Sequence, residues 1–302
     1  MNQELCTPEI QQLGSRGDYF HKVLLHLQSS VTFDELQARC IDVSESCKFQ
    51  SYKINIDKNI NIVNHSLTAD RQALQYMPCL GESYSGWLPV IVEGGGNCLP
   101  RSASVACFGT EMAHEEIRTR IGIEMALHKE QYINNDYINR GIDLPRKEAA
   151  NLLKTYTMFS YQYHAGDRIT TEVSSWIFEA EALSVVQSNT FMGIWQLFAL
   201  SSSINANVQS IYLQLGDHLP QITLHRKIIP RGDQNVLDSC VIMWSSTRHD
   251  MLNRNWIPNH FVPIIPSTTI PNIDFFEDEE EFVLDNMLDD SVMMTLLQTV
   301  TE

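Results

Sequence analysis

A cysteine that directly follows a glycine-rich turn is the residue with the clearest chemical potential in this sequence. The apolar run 87–92 leads into a turn at 93–97 that holds three glycines, and Cys98 comes next. Residues 99–106 have the composition of a helix, and Pro100 suits its first turn because no intrahelical N–H is required there. The order strand, turn, helix therefore places Cys98 at a helix N-terminus.

This position favours the reactive form of the Cys98 thiol. The positive end of the helix dipole and the unpaired N–H groups of the first turn both stabilise a thiolate. The preceding glycines let the backbone approach a bound chain and aim N–H groups at a developing oxyanion. The sequence thus predicts a cysteine nucleophile; the alternative is a structural cysteine, since cysteine is among the most buried residue types.

A thiolate nucleophile needs a general base and acid, usually histidine. Of the ten histidines, His260 has the best setting, because it stands at the head of the apolar segment 261–265, just after a turn. His114 begins a predicted helix, which is typical of a surface or capping residue. His249 lies in a polar loop, which is most often solvated. We therefore pair Cys98 with His260.

The elements that must position these two residues include both helices and strands. Apolar spacing predicts helices at 113–127, 145–165, 172–188 and 191–203, and strands at 208–213, 222–229, 240–244 and 260–265. Isoleucines that alternate with polar residues over 51–63 predict a further strand or hairpin. The expected class is α/β or α+β, with a central β-sheet flanked by helices.

Charge and composition exclude several classes of function. The formal net charge is −16, from 21 basic and 37 acidic residues, so a basic nucleic-acid groove is not expected. Residues 271–302 hold ten of the acids and no Lys or Arg, which leaves the body only mildly acidic. No uninterrupted apolar run of about 18 residues is present, so no membrane-spanning helix is expected.

The cysteines and the N-terminal residues indicate the cellular compartment that is expected for the protein. The seven cysteines are an odd number without a C-x-x-C pair, so neither a disulfide framework nor a structural zinc site is expected. The first residues lack the basic flank and apolar stretch of a secretory signal. The expected location is intracellular, cytoplasmic or nuclear, with free thiols.

Three segments, in a fixed order, resemble the ovarian-tumour (OTU) family of cysteine proteases. Residues 95–102, GGNCLPRS, are similar to the family's Asp-Gly-Asn-Cys-Leu-Phe-Arg-Ala signature. Residues 192–201, MGIWQLFALS, resemble the helix that precedes a central strand, and 208–213 resemble that strand. Residues 259–261, NHF, resemble the closing motif, in which an aromatic residue follows the catalytic histidine. The resemblance covers roughly residues 87–266.

The resemblance implies a papain-like OTU cysteine-protease fold and an activity. Family members typically cut the isopeptide bond that joins ubiquitin chains, or ubiquitin and a substrate. Carried over, Cys98 attacks the carbonyl carbon and His260 transfers the protons, while the backbone of Gly95, Gly96, Asn97 and Cys98 forms the oxyanion hole. No metal and no other cofactor is required. The implied partner is ubiquitin or a ubiquitin-like protein, with neither nucleic acid nor membrane.

Two departures from the family pattern leave the third catalytic residue open. Gly95 replaces the family's Asp, and Val262 stands where the family often has the Asn or Asp that orients the imidazole. Four residues in nearby loops are candidates for that orienting role: Glu93, Asp250, Asn253 and Asn255. The alternative function is a catalytically weak or inactive OTU-like fold that serves as a ubiquitin- or protein-binding module.

The chain is expected to have three parts. Residues 1–86 form an N-terminal extension of unknown role, 87–266 form the OTU-like domain, and 267–302 form an acidic, flexible tail. The tail mixes acids with bulky apolar residues, which is typical of segments that fold as an amphipathic helix on a protein partner. A purely solvated tail is the alternative.

Overall fold

The computed structural model describes most of the chain before residue 268. The described residues are 16–142, 151–164, 166, 168–213, 219–232, 236–248 and 256–267. Met1–Thr268 form one compact unit. Residues 268–302 lie outside the described residues, so the role predicted for the tail stays a prediction. Within the described ranges, no helix has the length and apolar character needed to cross a membrane.

Helices predominate in the first two thirds of the chain, and strands in the last third. The helices are α1 (Arg16–Gln28), α2 (Phe33–Glu45), α3 (Cys47–Ser51), α4 (Arg71–Leu74), α5 (Cys98–Phe108), α6 (His114–Leu127), α7 (Lys129–Tyr132), α8 (Asn135–Ile138), α9 (Leu152–Met158), α10 (Thr171–Val186), α11 (Ile194–Ile204) and α12 (Leu219–Leu224). Short 3₁₀ helices are Met77–Leu80, Glu82–Tyr84 and Glu111–Ala113. The strands are β1 (Trp87–Pro89), β2 (Asn207–Ile211), β3 (Arg226–Ile228), β4 (Ser239–Ser245) and β5 (His260–Pro266).

The five strands form one mixed sheet in the order β1-β5-β4-β2-β3. Strands β2 and β4 are parallel, and the other neighbours are antiparallel. Strand β5 pairs with β4, with His260 opposite Ser245, and with β1, with Ile264 opposite Pro89. Most side chains of β4 and β5 are buried, as expected for central strands covered on both faces. The expected α/β class, a sheet flanked by helices, is confirmed.

Helix α6 packs against many of the other helices. It contacts α1, α2, α5, α10 and α11. Although it is surrounded, it carries two buried charged residues, Glu116 and Arg118, and the partly buried Arg120. Glu116 forms ion pairs with Arg120 and with Arg16 of α1, at 2.8 and 2.6 Å. Arg118 points instead toward the glycine-rich turn.

The helices before residue 87 share the core of the sheet-bearing part. Phe20 and Leu27 of α1 and Leu36 of α2 are fully buried, and both helices pack on α6. Apolar residues at the spacing of one helix face explain this packing. Helices on both sides of residue 87 contribute to one hydrophobic core. A division of function at residues 86 and 266 stays a prediction.

Two predicted strands are wrong. Residues 52–62 run without a strand, although Ile54 and Ile56 are half-buried among exposed neighbours. Their alternating burial is that of a segment that packs on the surface of the core, and within the described ranges no strand pairs with it. The predicted strand 222–229 is a helix, Leu219–Leu224, followed by the short strand Arg226–Ile228.

Candidate functional site

The Cys98 side chain lies where the first turn of α5 meets the start of β5. Helix α5 begins at Cys98 itself, as the sequence predicts. Its next turn is tied to β5 by Ser102, whose Oγ donates a 3.0 Å hydrogen bond to the carbonyl oxygen of Phe261. The backbone of Phe261 also hydrogen-bonds to the Cys98 thiol, in a contact that lowers the thiol pKa. Only an N–H donor stabilises a thiolate, so the N–H of Phe261 faces the sulfur.

Burial sets the direction of the Cys98 pKa. The side chain is 3% exposed, and its removal from water raises the pKa of the thiol above the usual 9.0. Smaller effects lower the thiol pKa; they come from the backbone N–H groups of Phe261, Leu99 and Cys98 and from the charge of Arg118. The predicted stabilisation by the helix N-terminus is present, and desolvation outweighs it. Cys98 therefore rests as a neutral thiol at pH 7.

His260 occupies the first position of β5, directly before Phe261. It is 8% exposed. Its burial lowers the imidazole pKa below 6.5, and the charges of Asp70 and Glu111 raise it by less. The imidazole is therefore neutral at pH 7, the form that accepts a proton. In the described part of the chain, no hydrogen bond joins the imidazole of His260 to the thiol of Cys98, although the backbone of the next residue, Phe261, hydrogen-bonds to that thiol.

Of the four residues predicted to orient His260, Glu93 binds another side chain, and the other three lie outside the described ranges. Glu93 is 72% exposed at its side chain and binds Arg101 at 2.6 Å. Asp250, Asn253 and Asn255 are among residues 249–255, which the structure does not describe, so their role stays a prediction. Asn259 is bound to Thr247 by two hydrogen bonds of 2.9 Å.

Two carboxylates that sequence reasoning missed are the ones whose charge reaches His260. Asp70 caps α4, where its Oδ1 accepts from the N–H groups of Gln72 and Ala73. Glu111 accepts from the Arg101 guanidinium at 2.7 Å. Both carboxylates are already engaged, and both act on His260 by charge alone. The Asp70 cap precedes a short helix, a pattern that predicts a cap and carries no catalytic signal.

The glycine-rich turn before Cys98 is held in a conformation that only glycine adopts easily. Gly95 and Gly96 have φ angles of +84° and +82°. A Cβ on Gly96 would lie 2.3 Å from the carbonyl carbon of Asn189, whereas a Cβ on Gly95 would meet open space. Asn97 donates from Nδ2 to Oδ1 of Asn189 at 2.9 Å. The residues predicted to form an oxyanion hole thus lie in one turn, braced by the loop at 187–190.

Two exposed aromatic side chains contact each other, and one of them, Tyr161, lies near Cys98. Tyr161 and Phe191 are 60% and 46% exposed, and their ring centroids are 5.9 Å apart. Partial burial raises the pKa of the Tyr161 hydroxyl, and the nearby Cys98 thiol raises it further. The charge of Arg248 lowers the Tyr161 pKa.

The remaining thiols form no comparable site. The free cysteines of the described part are Cys40, Cys47, Cys79, Cys98, Cys107 and Cys240. Burial raises the pKa of Cys40 and of Cys240 to about 12. Over the described ranges, no group of three or more His, Cys, Asp or Glu side chains is placed to hold a metal ion. Cys98 is the thiol that receives N–H groups from two separate elements.

The raised pKa of Cys98 predicts the pH dependence of its alkylation. The thiolate is the reactive form, so the rate with iodoacetamide should rise with pH and reach half its maximum above pH 9.0. Peptide mass spectrometry resolves Cys98 from the other thiols, and Cys98→Ser removes the signal. A half-maximum at or below pH 7 would mean that the thiolate forms a stable ion pair in the resting protein, contrary to this geometry.

Sequence comparison assigns this arrangement of helix, turn and strand to a family. A model of the vertnin OTU domain matches residues 89–245, slightly more than half of the chain. The class of protein is therefore an OTU domain. Within that class, the chain belongs to the vertnin OTU domain family.

Full-length relatives and solved structures give the context of this assignment. Vertnin of Mus musculus is 23% identical over 252 residues, which are 83% of this chain and 32% of that protein. Vertnin of Homo sapiens is 24% identical over 253 residues, 83% of this chain and 34% of that protein. The chain thus spans about a third of the length of these relatives.

Two solved OTU domains are also similar. The viral OTU domain protease of Farallon virus is 14% identical with a TM-score of 0.33, over 61% of this chain and 86% of that one. The OTU domain of OTUD1 is 16% identical with a TM-score of 0.30, over 64% and 91%. Both TM-scores are below 0.5, so the family assignment rests on the sequence match.

Proposed function

We propose that this protein is a cysteine-dependent hydrolase that cleaves isopeptide or peptide bonds at ubiquitin or a ubiquitin-like modifier. The observation that carries the proposal is the setting of Cys98, whose sulfur receives backbone N–H groups from the first turn of α5 and from Phe261 of β5. The residue before Phe261 is His260, a base that is neutral at pH 7. The substrate class comes from the OTU family.

The reaction proceeds through an acyl-enzyme. His260 takes the thiol proton as the Cys98 sulfur attacks the carbonyl carbon, and the backbone of the glycine-rich turn stabilises the oxyanion. Collapse of the tetrahedral intermediate breaks the C–N bond, and the imidazolium gives its proton to the leaving lysine amine. Water then attacks the thioester, with His260 again as base, and the carboxylic acid and free thiol are released.

A non-catalytic ubiquitin-binding module is the second candidate. Three observations favour it: the Cys98 side chain is 3% exposed, burial raises its pKa, and it forms no hydrogen bond with His260. Catalytic hydrogen bonds often tighten only when substrate binds, so the lack of a Cys98–His260 hydrogen bond does not by itself exclude the hydrolase. The two candidates differ in whether the thiol forms a covalent bond with ubiquitin.

A ubiquitin probe with an electrophile at its C-terminus separates the candidates. We expect the wild-type protein to gain the mass of one ubiquitin, Cys98→Ala to gain none, and Cys47→Ala to react like wild type, since Cys47 is an exposed thiol outside the site. Intact mass spectrometry measures all three. Wild-type protein that binds ubiquitin without forming the adduct would refute the hydrolase and support the binding module.

A further inference from the structure

A buried arginine connects the glycine-rich turn to the loop that braces it. Arg118 of α6 is 1% exposed. Its Nη1 donates to the carbonyl oxygens of Val185 and Gln187, at 2.6 and 2.7 Å, and to Oγ1 of Thr190 at 3.1 Å. Its Nη2 donates to the carbonyl oxygens of Gly96, at 2.8 Å, and of Thr190, at 3.3 Å. One guanidinium is therefore hydrogen-bonded both to the glycine-rich turn and to the loop at 187–190.

The bond to Gly96 fixes the direction of a peptide group two residues before Cys98. The C=O and N–H of a trans peptide point in opposite directions within one plane. With the Gly96 carbonyl directed at Arg118, the N–H of Asn97 is directed away from the buried guanidinium. An N–H held in this way is a donor whose orientation is set before any substrate binds, which is the requirement for oxyanion stabilisation.

The charge of Arg118 has no carboxylate partner within the described ranges. Its five hydrogen bonds all go to neutral oxygens, whereas Arg16, Arg101, Arg120 and Arg231 each bind a glutamate. Burial lowers the Arg118 pKa to about 10, so the side chain remains charged at pH 7. A buried charge is costly unless it is compensated. This cation lies close enough to Cys98 to favour its ionised form.

We propose that Arg118 is a positioning residue for Cys98, which aims the Asn97 N–H at the developing oxyanion and supplies the cation that faces the thiolate. The inference rests on the proposed function and adds a residue 20 positions beyond the nucleophile to its site. Arg118 touches neither substrate nor the reacting atoms, and it acts through the Gly96–Asn97 peptide and through its charge. The Tyr161 hydroxyl is also near Cys98, whose charge in the thiolate form raises the Tyr161 pKa.

Three variants on one helix test this role. Arg118→Met removes the charge and the hydrogen bonds, and Arg118→Lys keeps the charge but loses the planar fork. Arg120→Met is the matched control, because Arg120 also lies on α6 with its side chain only 11% exposed, but binds Glu116 and lies over the rings of Phe20 and Phe49. The readouts are the Cys98 alkylation rate at pH 8 and the kcat and KM for a fluorogenic ubiquitin C-terminal amide.

We expect the variants to separate charge from geometry. Arg118→Met should lower the alkylation rate several-fold and kcat about 10²-fold with little change in KM, as for loss of an oxyanion donor. Arg118→Lys should keep the alkylation rate within about twofold and still lower kcat about tenfold, because the peptide is no longer fixed. Arg120→Met should match wild type in both readouts, whatever its loss of stability.

Several outcomes would overturn the inference. It is wrong if Arg118→Met matches Arg120→Met in alkylation and kcat. If Arg118→Met fails to fold, Arg118→Lys decides: an unchanged kcat refutes positioning, and a tenfold loss of alkylation refutes the role of the charge. If the wild-type protein has no hydrolase activity, the proposed function fails, and the alkylation rates still test the effect of Arg118 on Cys98.

Discussion

Replacement of His260 by glutamine is expected to lower kcat for a ubiquitin C-terminal amide by about 10³-fold, within the range typical of general acid–base catalysis. Glutamine keeps a polar group of similar size at the head of β5 but cannot take the Cys98 proton. The effect should be large because Cys98 rests as a neutral thiol, so deprotonation is part of the reaction and has not already occurred in the resting protein.

The pH dependence of kcat/KM is a second test of the role of His260. Burial lowers the pKa of His260 below 6.5, so the neutral base persists as the pH falls through that value. The acid limb of kcat/KM should therefore lie below pH 6.5, and activity should disappear as the imidazole becomes protonated. In His260→Gln this limb should vanish, leaving a low rate that rises only as the thiol itself ionises.

A histidine elsewhere in the sheet provides the control. His225 is half-buried, and its pKa is also lowered by burial. It hydrogen-bonds the backbone of Tyr212 and directly precedes β3, which is the third strand from β5 in the sheet. His225→Gln should keep nearly the full rate. If His260→Gln kept more than about a tenth of the wild-type kcat, a different group would have to be the base.

Local sequence signals were sufficient to predict the elements that carry the two central residues. The three glycines before Cys98 and the proline in the first turn after it define the start of α5. An uninterrupted apolar segment after His260 identifies β5, because a strand covered on both faces needs no polar alternation. In both cases the information lies within a few residues of the position in question.

The supports of the site depend on contacts between distant parts of the chain. Arg118 reaches Gly96 across 22 residues and Val185 across 67. Its spacing within α6 predicts neither contact, because an arginine on a helix is usually solvated. The alternation at 51–63 shows the opposite failure: the local pattern of a strand is present, but no strand among the described residues pairs with it.

Replacement of Gly96 by alanine is expected to be among the most damaging single changes near the site. The new Cβ would lie 2.3 Å from both the carbonyl carbon and the carbonyl oxygen of Asn189, and 2.9 Å from its Cα. These are backbone atoms, and the loop that carries them is bound to Arg118 through Gln187 and Thr190. The clash therefore cannot be relieved by rotation of a side chain.

Gly95→Ala is the matched control for the backbone conformation. Gly95 has nearly the same φ as Gly96, +84° against +82°, but nothing lies within 4 Å of its Cβ position. Gly95→Ala should thus lower the free energy of unfolding by about 1–2 kcal/mol, the cost of a left-handed conformation for an L-residue. Gly96→Ala carries this cost and the clash, so we expect a total loss of about 3–5 kcal/mol.

The difference in the free energy of unfolding between the two glycine variants separates the clash with Asn189 from the backbone strain that both share. Urea unfolding followed by circular dichroism measures it without reference to activity. If Gly96→Ala folds by displacing the loop at 187–190, the Gly96 carbonyl must leave Arg118, and kcat should fall about 10²-fold or more because the Asn97 N–H loses its direction. Equal losses of stability in the two variants would show that the loop yields, and that the turn before Cys98 is not held in place by Asn189.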